Sequence, residues 1–266
     1  CISDLNLKAF KSMLVCLDKF GKDLFLEANN RELTLRTLNT AQSAFVVFSL
    51  QSSFFYEYLV ESGSTASVKI HLKNLVSIFR SITGVDRVWL QLACSDPDAQ
   101  AYMRIQLQSQ SGVKKKYDLA LKEVTPMNAV YSRSGCPHRI VTDPQVMIGC
   151  LGNFPHNLPE LTLVATTDHL HLKNDSDNLQ TEQKEQAGMR TEMTLPVQDL
   201  HSCELHHAAL RGGELPVTFS LREFKAIIFL LREIDHRMVL HIEGTGKPVI
   251  FTSETRSDMP AHFAVE

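Results

Sequence analysis

The chain has 266 residues, 44% of them apolar, and a formal net charge of −3. That length fits two domains of about 130 residues better than one, and the apolar share is enough for a real core. No apolar run approaches the ~20 residues of a membrane span, no signal peptide opens the chain, and the acidic balance disfavours a simple sequence-reading DNA module, which is normally basic. Positive charge confined to one face remains allowed. Cys1, Cys16, Cys94, Cys136, Cys150 and Cys203 are scattered without CxxC pairs. They read as reduced thiols of a cytosolic or nuclear protein. The sequence starts at Cys1 without a methionine, so a trimmed segment is expected, with any targeting signal outside it.

The first predicted element is a helix from about Leu7 to Phe20. Phe10, Met13, Leu14 and Leu17 recur at helical spacing, and Gly21 stops it. Lys8, Lys11, Lys19 and Lys22 fall opposite those residues, interrupted by Val15 and Asp18. A second helix runs from about Lys73 to Ile82, with Leu75, Val76, Phe79 and Ile82 apolar and Gly84 beyond its end. Lys73, Ser77, Arg80 and Ser81 form its polar face, without an acid. Val88, Leu90 and Leu92 then alternate with Arg87, Trp89 and Gln91. Met103, Ile105 and Leu107 alternate with Tyr102, Arg104 and Gln106, as strands that bury one face do. Lys114, Lys115 and Lys116 sit in another alternating stretch, with Val113, Tyr117, Leu119 and Leu121 on one side. The run reads as a DNA-facing patch or as charge protecting an exposed edge strand, and the edge reading is favoured.

From 124 to 143 clean periodicity is lost, and Pro126, Gly135 and Pro137 punctuate the chain. This segment reads as a connecting loop between a first domain, 1–123, and a second, 144–266. A third helix is expected from Pro144, a first-turn residue, to about Phe154. Its outer face carries only Gln145, Gly149, Gly152 and Asn153. His169 and His171 alternate with Leu170 and Leu172, as outward residues of a strand. Asn174 to Gly188 is polar apart from Leu179 and Ala187 and reads as a mobile surface loop. The fourth helix spans Leu221 to Glu233, with Ser220 as N-cap and Glu223 completing a capping box. Arg222, Lys225 and Arg232 share one face, with Phe229 among them and Glu223 and Glu233 near its edge. Met238, Leu240 and Ile242 alternate with Val239 and His241.

Helix, strands, helix, strands, and then the same plan again: the expected fold class is α+β. Two topologically similar domains each carry two helices on one face of antiparallel sheet, and repeated arcs of this kind close into rings. Three helices biased to Lys and Arg in a net acidic chain point to a phosphate-facing surface that positions DNA without reading bases. A merely solvated face is the ordinary alternative. The densest set of potential ligands is His201, Cys203, His206 and His207, and three of them would make the zinc site of a hydrolase. Their spacing fits no familiar ligand pattern, and no HExxH, glycine-rich phosphate loop or Ser/His/Asp spacing accompanies it. Neither an enzyme nor a metal or cofactor is expected.

Six collinear stretches span nearly the whole chain: LTLRTLNTAQSAFVVFSLQSSFF from Leu33 to Phe55, GVKKKYDL from Gly112 to Leu119, CPH from Cys136 to His138, VTFSLREFK from Val217 to Lys225, GKPVIFT from Gly246 to Thr252, and His262-Phe263. Together they resemble the Rad-nine subunit family of the nine-one-one checkpoint clamp. The resemblance implies a sliding-clamp fold in a heterotrimeric ring with two paralogous subunits. A clamp loader would place that ring on damaged double-stranded DNA, bound without sequence specificity. In the nucleus it would then support checkpoint signalling and hold repair proteins through their peptide motifs, with no membrane partner. A homotrimeric replication clamp is the nearest alternative.

The DNA-facing residues would be Lys8, Lys11, Lys19, Lys22, Lys73, Arg80, Arg222, Lys225 and Arg232. By position, Val130, Tyr131, Pro248, Phe263 and Val265 would form a groove for partner peptides. An edge strand with Val113, Lys115, Tyr117 and Leu119 would pair with one neighbour, and another with Arg190, Glu192 and Met193 with the other. The His-Phe-Ala-Val-Glu ending departs from the family's Ala-Thr-Leu-like continuation, which puts the groove's rim in doubt. The family's long phosphorylated tail is not in this sequence.

Overall fold

A computed structural model describes residues 1–61, 65–80, 82–93, 101–124, 133–174, 190–206, 210, 212–256 and 263–265, with residues 5, 93, 123 and 263–265 described as backbone. The elements are β1 (Ile2–Ser3), α1 (Asp4–Phe20), β2 (Asp23–Ala28), β3 (Glu32–Leu38), β4 (Phe45–Gln51), β5 (Ala66–His71), α2 (Leu72–Arg80), β6 (Val85–Ala93), β7 (Tyr102–Ser109), β8 (Lys114–Ala120) and β9 (Lys122–Glu123). There follow β10 (His138–Thr142), α3 (Pro144–Leu151), β11 (Glu160–Ala165), β12 (His169–Lys173), β13 (Glu192–Pro196), β14 (Ser202–Glu204), β15 (Leu215–Ser220), α4 (Leu221–Glu233), β16 (His236–Ile242), β17 (Val249–Thr255) and β18 (Phe263–Val265). They form two compact units, Cys1–Val130 with Met259–Glu266, and Tyr131–Asp258.

The first unit holds the sheets β1-β6-β7-β8 and β18-β4-β3-β2-β5-β9; the second holds β14-β10-β16-β17 and β13-β12-β11-β15. Both units combine two antiparallel sheets with two helices; among the described residues the first unit's sheets hold ten strands and the second's eight. In each unit a strand feeds a helix directly, and the strand's sheet register fixes where that helix begins. Leu72 N–H donates to Lys22 O (2.8 Å), just ahead of β2, the partner of β5. Leu221 N–H donates to Pro159 O (3.0 Å), just ahead of β11, the partner of β15. The α+β fold of two similar domains is therefore present, built on antiparallel pairing.

Helix α1 buries Phe10, Met13, Leu14 and Leu17 against the sheets, and Phe10 meets Phe79 of α2 with ring centroids 5.3 Å apart. Gly21 ends α1 because no larger residue fits. A Cβ there would lie 2.1 Å from Thr37 Oγ1 and 2.6 Å from Leu38 O. Thr37 is fully buried and its hydroxyl donates to Asp23 O (2.8 Å). It has no room to yield, so Gly21→Ala is expected to destabilise the chain by about 3 kcal/mol. A lowered urea midpoint at unchanged slope would show it.

Four expectations are corrected here. The capping box at Ser220 does not form: Ser220 has N-cap geometry but its side chain makes no cap hydrogen bond. Sheet register positions that helix start instead. The expected 124–143 loop contains β10, an interior strand between β14 and β16 in which His138, Ile140, Val141 and Thr142 are fully buried. A strand covered on both faces loses its alternation, and the flanking prolines disguised it further. The chain's end does not close the second domain, since β18 pairs with β4 of the first unit, Phe263 opposite Leu50 and Val265 opposite Phe48. Helix α3 stops at Leu151, short of Phe154. Residues 175–189, most of the expected mobile loop, lie outside the described residues.

Candidate nucleic-acid interface and assembly edges

Helices α1 and α2 pack side by side, so their outer faces form one layer. Lys8, Lys19 and Lys22 are exposed and Lys11 is half-buried; Lys73, Asn74, Ser77 and Arg80 are exposed on α2. The acids on these faces are Asp4 and the half-buried Asp18. Val15 stands in the middle of the basic stripe, 41% exposed. Lys8, Lys11 and Lys19 of α1 and Lys73 and Arg80 of α2 lie away from the apolar stripe, which is committed to the core, and Lys22 follows the end of α1.

The helices of the second unit carry fewer cations. On α4, Arg222 and Arg232 are exposed and Lys225 is half-buried. Phe229 lies between them, 44% exposed, with the Arg232 guanidinium 5.2 Å from its ring centre and 3.1 Å from the Glu233 carboxylate. The outer residues of α3, Gln145, Gly149, Gly152 and Asn153, are exposed and uncharged.

The two strands singled out for assembly, β8 and β13, both lie at sheet edges. Their hydrogen-bond parity shows what each offers. Residues of an antiparallel pair alternate between exchanging backbone bonds and not. Leu121 N–H donates to Ala101 O and Ser109 N–H to Val113 O, both at 2.9 Å, so the odd residues of β8 face β7. The N–H and C=O of Lys114, Lys116, Asp118 and Ala120 therefore point away from the sheet. At β13, Asn174 N–H donates to Thr191 O (3.2 Å) and Val197 N–H to Asp168 O (2.9 Å). By the same parity Glu192 and Thr194 turn their backbone groups outward, and Pro196 its carbonyl.

Each edge also carries an unfinished apolar row. Tyr117 and Leu119, half-buried, stand opposite the buried Ile105 and Met103. Met193 and Leu195, half-buried, stand opposite the buried Leu172 and Leu170. Val113 is 54% exposed at the head of β8; Lys115, Arg190 and Glu192 are exposed. The parity itself was hidden from the sequence; Gly112, with φ of 83°, is the residue that sets the β7–β8 register.

Of the expected groove, Val130 and Tyr131 lie outside the described residues, and Phe263 and Val265 are described as backbone. Pro248 is exposed on the β16–β17 turn. Among the potential zinc ligands, Cys203 sits on β14 opposite Ile140, while His201 and His206 are exposed; His207 lies outside the described residues. Among the described residues no three His, Cys, Asp or Glu side chains are grouped to hold a metal. Burial, and then Glu204, push the Cys203 thiol above its ordinary range, away from the thiolate a metal needs.

The buried His138 accepts the His206 N–H at Nδ1 (3.2 Å), while its Nε2 has no partner. Burial, and then His206, lower the His138 pKa; burial lowers that of His236 in the neighbouring strand, against Asp235. Both folded values lie below the unfolded one of ~6.5. In that interval the unfolded chain holds more protons, so stability is complete above ~6.5 and declines as pH falls. Urea midpoints are expected to drop between pH 7.5 and pH 5.5, and less steeply in His138→Gln.

The family model Rad9 matches residues 10–266, almost the entire chain.

The chain belongs to the Rad9 family.

The cell cycle checkpoint control protein Rad9 of Drosophila melanogaster is 23% identical over 245 residues, 92% of this chain and 51% of that protein. The DNA repair protein rad9 of Schizosaccharomyces octosporus is 19% identical over 286 residues, 94% of this chain and 64% of that protein. The chain thus spans about half to two thirds of these Rad9 relatives. In solved structures, a chain of the PCNA2–PCNA3 complex of Sulfolobus tokodaii shares the fold with a TM-score of 0.72 at 14% identity, covering 99% of this chain and 95% of that one. The A. fulgidus PCNA bound to the C-terminal region of FEN-1 gives a TM-score of 0.65 at 14% identity, covering 99% and 94%. The fold of this Rad9 family member is therefore that of the sliding clamps.

Proposed function

We propose that the chain is one arc of a heterotrimeric DNA-encircling checkpoint clamp, completed by two paralogous subunits. A clamp loader sets the ring on damaged double-stranded DNA in the nucleus, where it supports checkpoint signalling and holds repair proteins. It catalyses no reaction. The observation that carries this reading is the basic helix layer of the first unit, on a chain whose net charge is negative. Cations on one face grip phosphates without reading bases, which permits sliding.

The remaining features support the same reading. The grip is uneven, strong on α1 and α2, moderate on α4 and absent on α3. β8 and β13 each bring outward backbone groups and an apolar row that a neighbouring strand would complete. Partner peptides dock on the clamp; the A. fulgidus clamp, which binds a FEN-1 segment, supports peptide docking on this fold.

Native mass of the assembly purified with its partner chains tests the reading. One copy of this chain with two different subunits is expected. A stable homotrimer would point to a replication clamp instead, and a monomer indifferent to partners would end the ring proposal.

A further inference from the structure

Helix α4 sets an aromatic ring among its cations. Arg222, Lys225, Phe229 and Arg232 follow one another at spacings of three, four and three residues, so they share one face. The acids of the helix, Glu223 and Glu233, stand at its two ends. Phe229 is 44% exposed, the only exposed phenylalanine among the described residues. The Arg232 guanidinium, 5.2 Å from its ring centre, keeps positive charge at the ring.

The helix beneath is firmly seated. Leu221, Phe224, Ile228 and Leu231 are buried, and the Phe224 ring lies 4.6 Å from that of Phe219 and 5.5 Å from that of Phe251. A platform held in this way costs a ligand little ordering entropy. Helix α3 packs alongside α4. Its exposed residues bring no charge, and nothing lies within 4 Å of the point where a Gly149 side chain would begin. The helix layer of the second unit is therefore low and uncharged apart from the α4 stripe.

A phenyl ring adds nothing to a grip on duplex phosphates. In a duplex the bases cover one another's faces, and the backbone that meets a protein surface is charged and hydrated. An unpaired base offers an open π-face, which stacks on an aromatic ring while neighbouring cations hold the phosphates. Three cations with a ring among them meet both needs of a single strand. Helix α1 is composed differently. Its lysines surround Val15, 41% exposed, which has no π-face.

We infer, resting on the proposed reading of the helix faces as DNA-facing, that Phe229 stacks on an unpaired base and that α4 is where this chain holds single-stranded DNA. Arg222 and Lys225 take the phosphates of that strand, and Arg232 stays at the ring beside the stacked nucleotide. The cations of α1 and α2 grip phosphates of any DNA. Helix α4 adds affinity only where bases are unpaired.

The ring, assembled with its partner chains, is titrated by fluorescence anisotropy at one low salt concentration against three labelled probes. They are oligo-dT, which does not pair with itself, a blunt duplex of the same length, and an abasic strand of that length. Phe229→Ala is expected to weaken oligo-dT binding by about fivefold or more, the effect of one lost stack, and to leave duplex and abasic binding at wild-type strength. Phe229→Trp keeps the stack and should bind oligo-dT at least as tightly as wild type. Phe229→Leu, apolar without a π-face, should behave like the alanine variant. The position is exposed, so all three should keep the wild-type melt. If Phe229→Ala left oligo-dT binding unchanged, or lowered binding of all three probes equally, no base would stack on Phe229, and the encircling reading would stand without it. A wild-type ring that bound none of the probes would overturn both.

Discussion

Changing Lys8, Lys19, Lys73 and Arg80 together to glutamate is expected to flatten the salt dependence of DNA binding by the assembled ring. Each phosphate contact contributes about 0.9 to the slope of log affinity against log salt. Four contacts therefore contribute a slope of about 3.6, which between ~50 and ~200 mM salt is about a 150-fold change in affinity. Losing that component, and adding like-charge repulsion, should lower affinity at low salt by at least about a hundredfold. All four side chains are exposed on the outer faces of α1 and α2. The apolar stripe beneath them, with Phe10, Leu14, Leu75 and Phe79, is untouched, so the melting temperature should change little. Gln145→Ala with Asn153→Ala, on the uncharged face of α3, is the matching control and should alter neither slope nor affinity. Fluorescence anisotropy of labelled duplex across a salt series makes the measurement. An unchanged slope in the quadruple variant would remove these residues from the DNA contact.

The helices were legible because each carries an uninterrupted apolar stripe. Leu221–Glu233 has observed bounds equal to those read from sequence, since no Gly or Pro breaks it and Ile228 and Leu231 extend the buried row. The start of α1 was read late because the opening Asp4-Leu5-Asn6 turn shows no periodicity. Cation placement came with the helices, though Lys11 and Lys225 are half-buried on the flanks of their faces. Strand β10 was missed for the opposite reason: covered on both faces, it has no polar alternation to display. The open backbone groups of β8 and β13 belong to register, which a one-residue shift would invert, and register here depends on hairpin and bulge geometry spread along the chain.

Register yields the second large effect. Lys116→Pro is expected to leave the chain folded and to release one neighbour from the ring. The Lys116 N–H points away from β7, so proline removes nothing from the β7–β8 ladder, and an edge position facing solvent is where a strand accepts it. For a neighbouring strand the change removes one donor and puts a ring methylene in its path. The lost bond alone is worth about 1 kcal/mol, and an acceptor left unsatisfied raises the total to about 3, or roughly a hundredfold in affinity. Lys115→Pro is the informative contrast. Its N–H faces Leu107 within the sheet, so that variant should lower the melting temperature of the isolated chain as well. Thr194→Pro repeats the first change at the β13 edge, where the backbone also faces outward, and should release the other neighbour. Native mass with each partner singly would separate the two: Lys116→Pro should lose one pairwise complex, Thr194→Pro the other, and both should keep the wild-type melt. If both complexes survived both substitutions, the strands joining the ring would have to be sought at other edges.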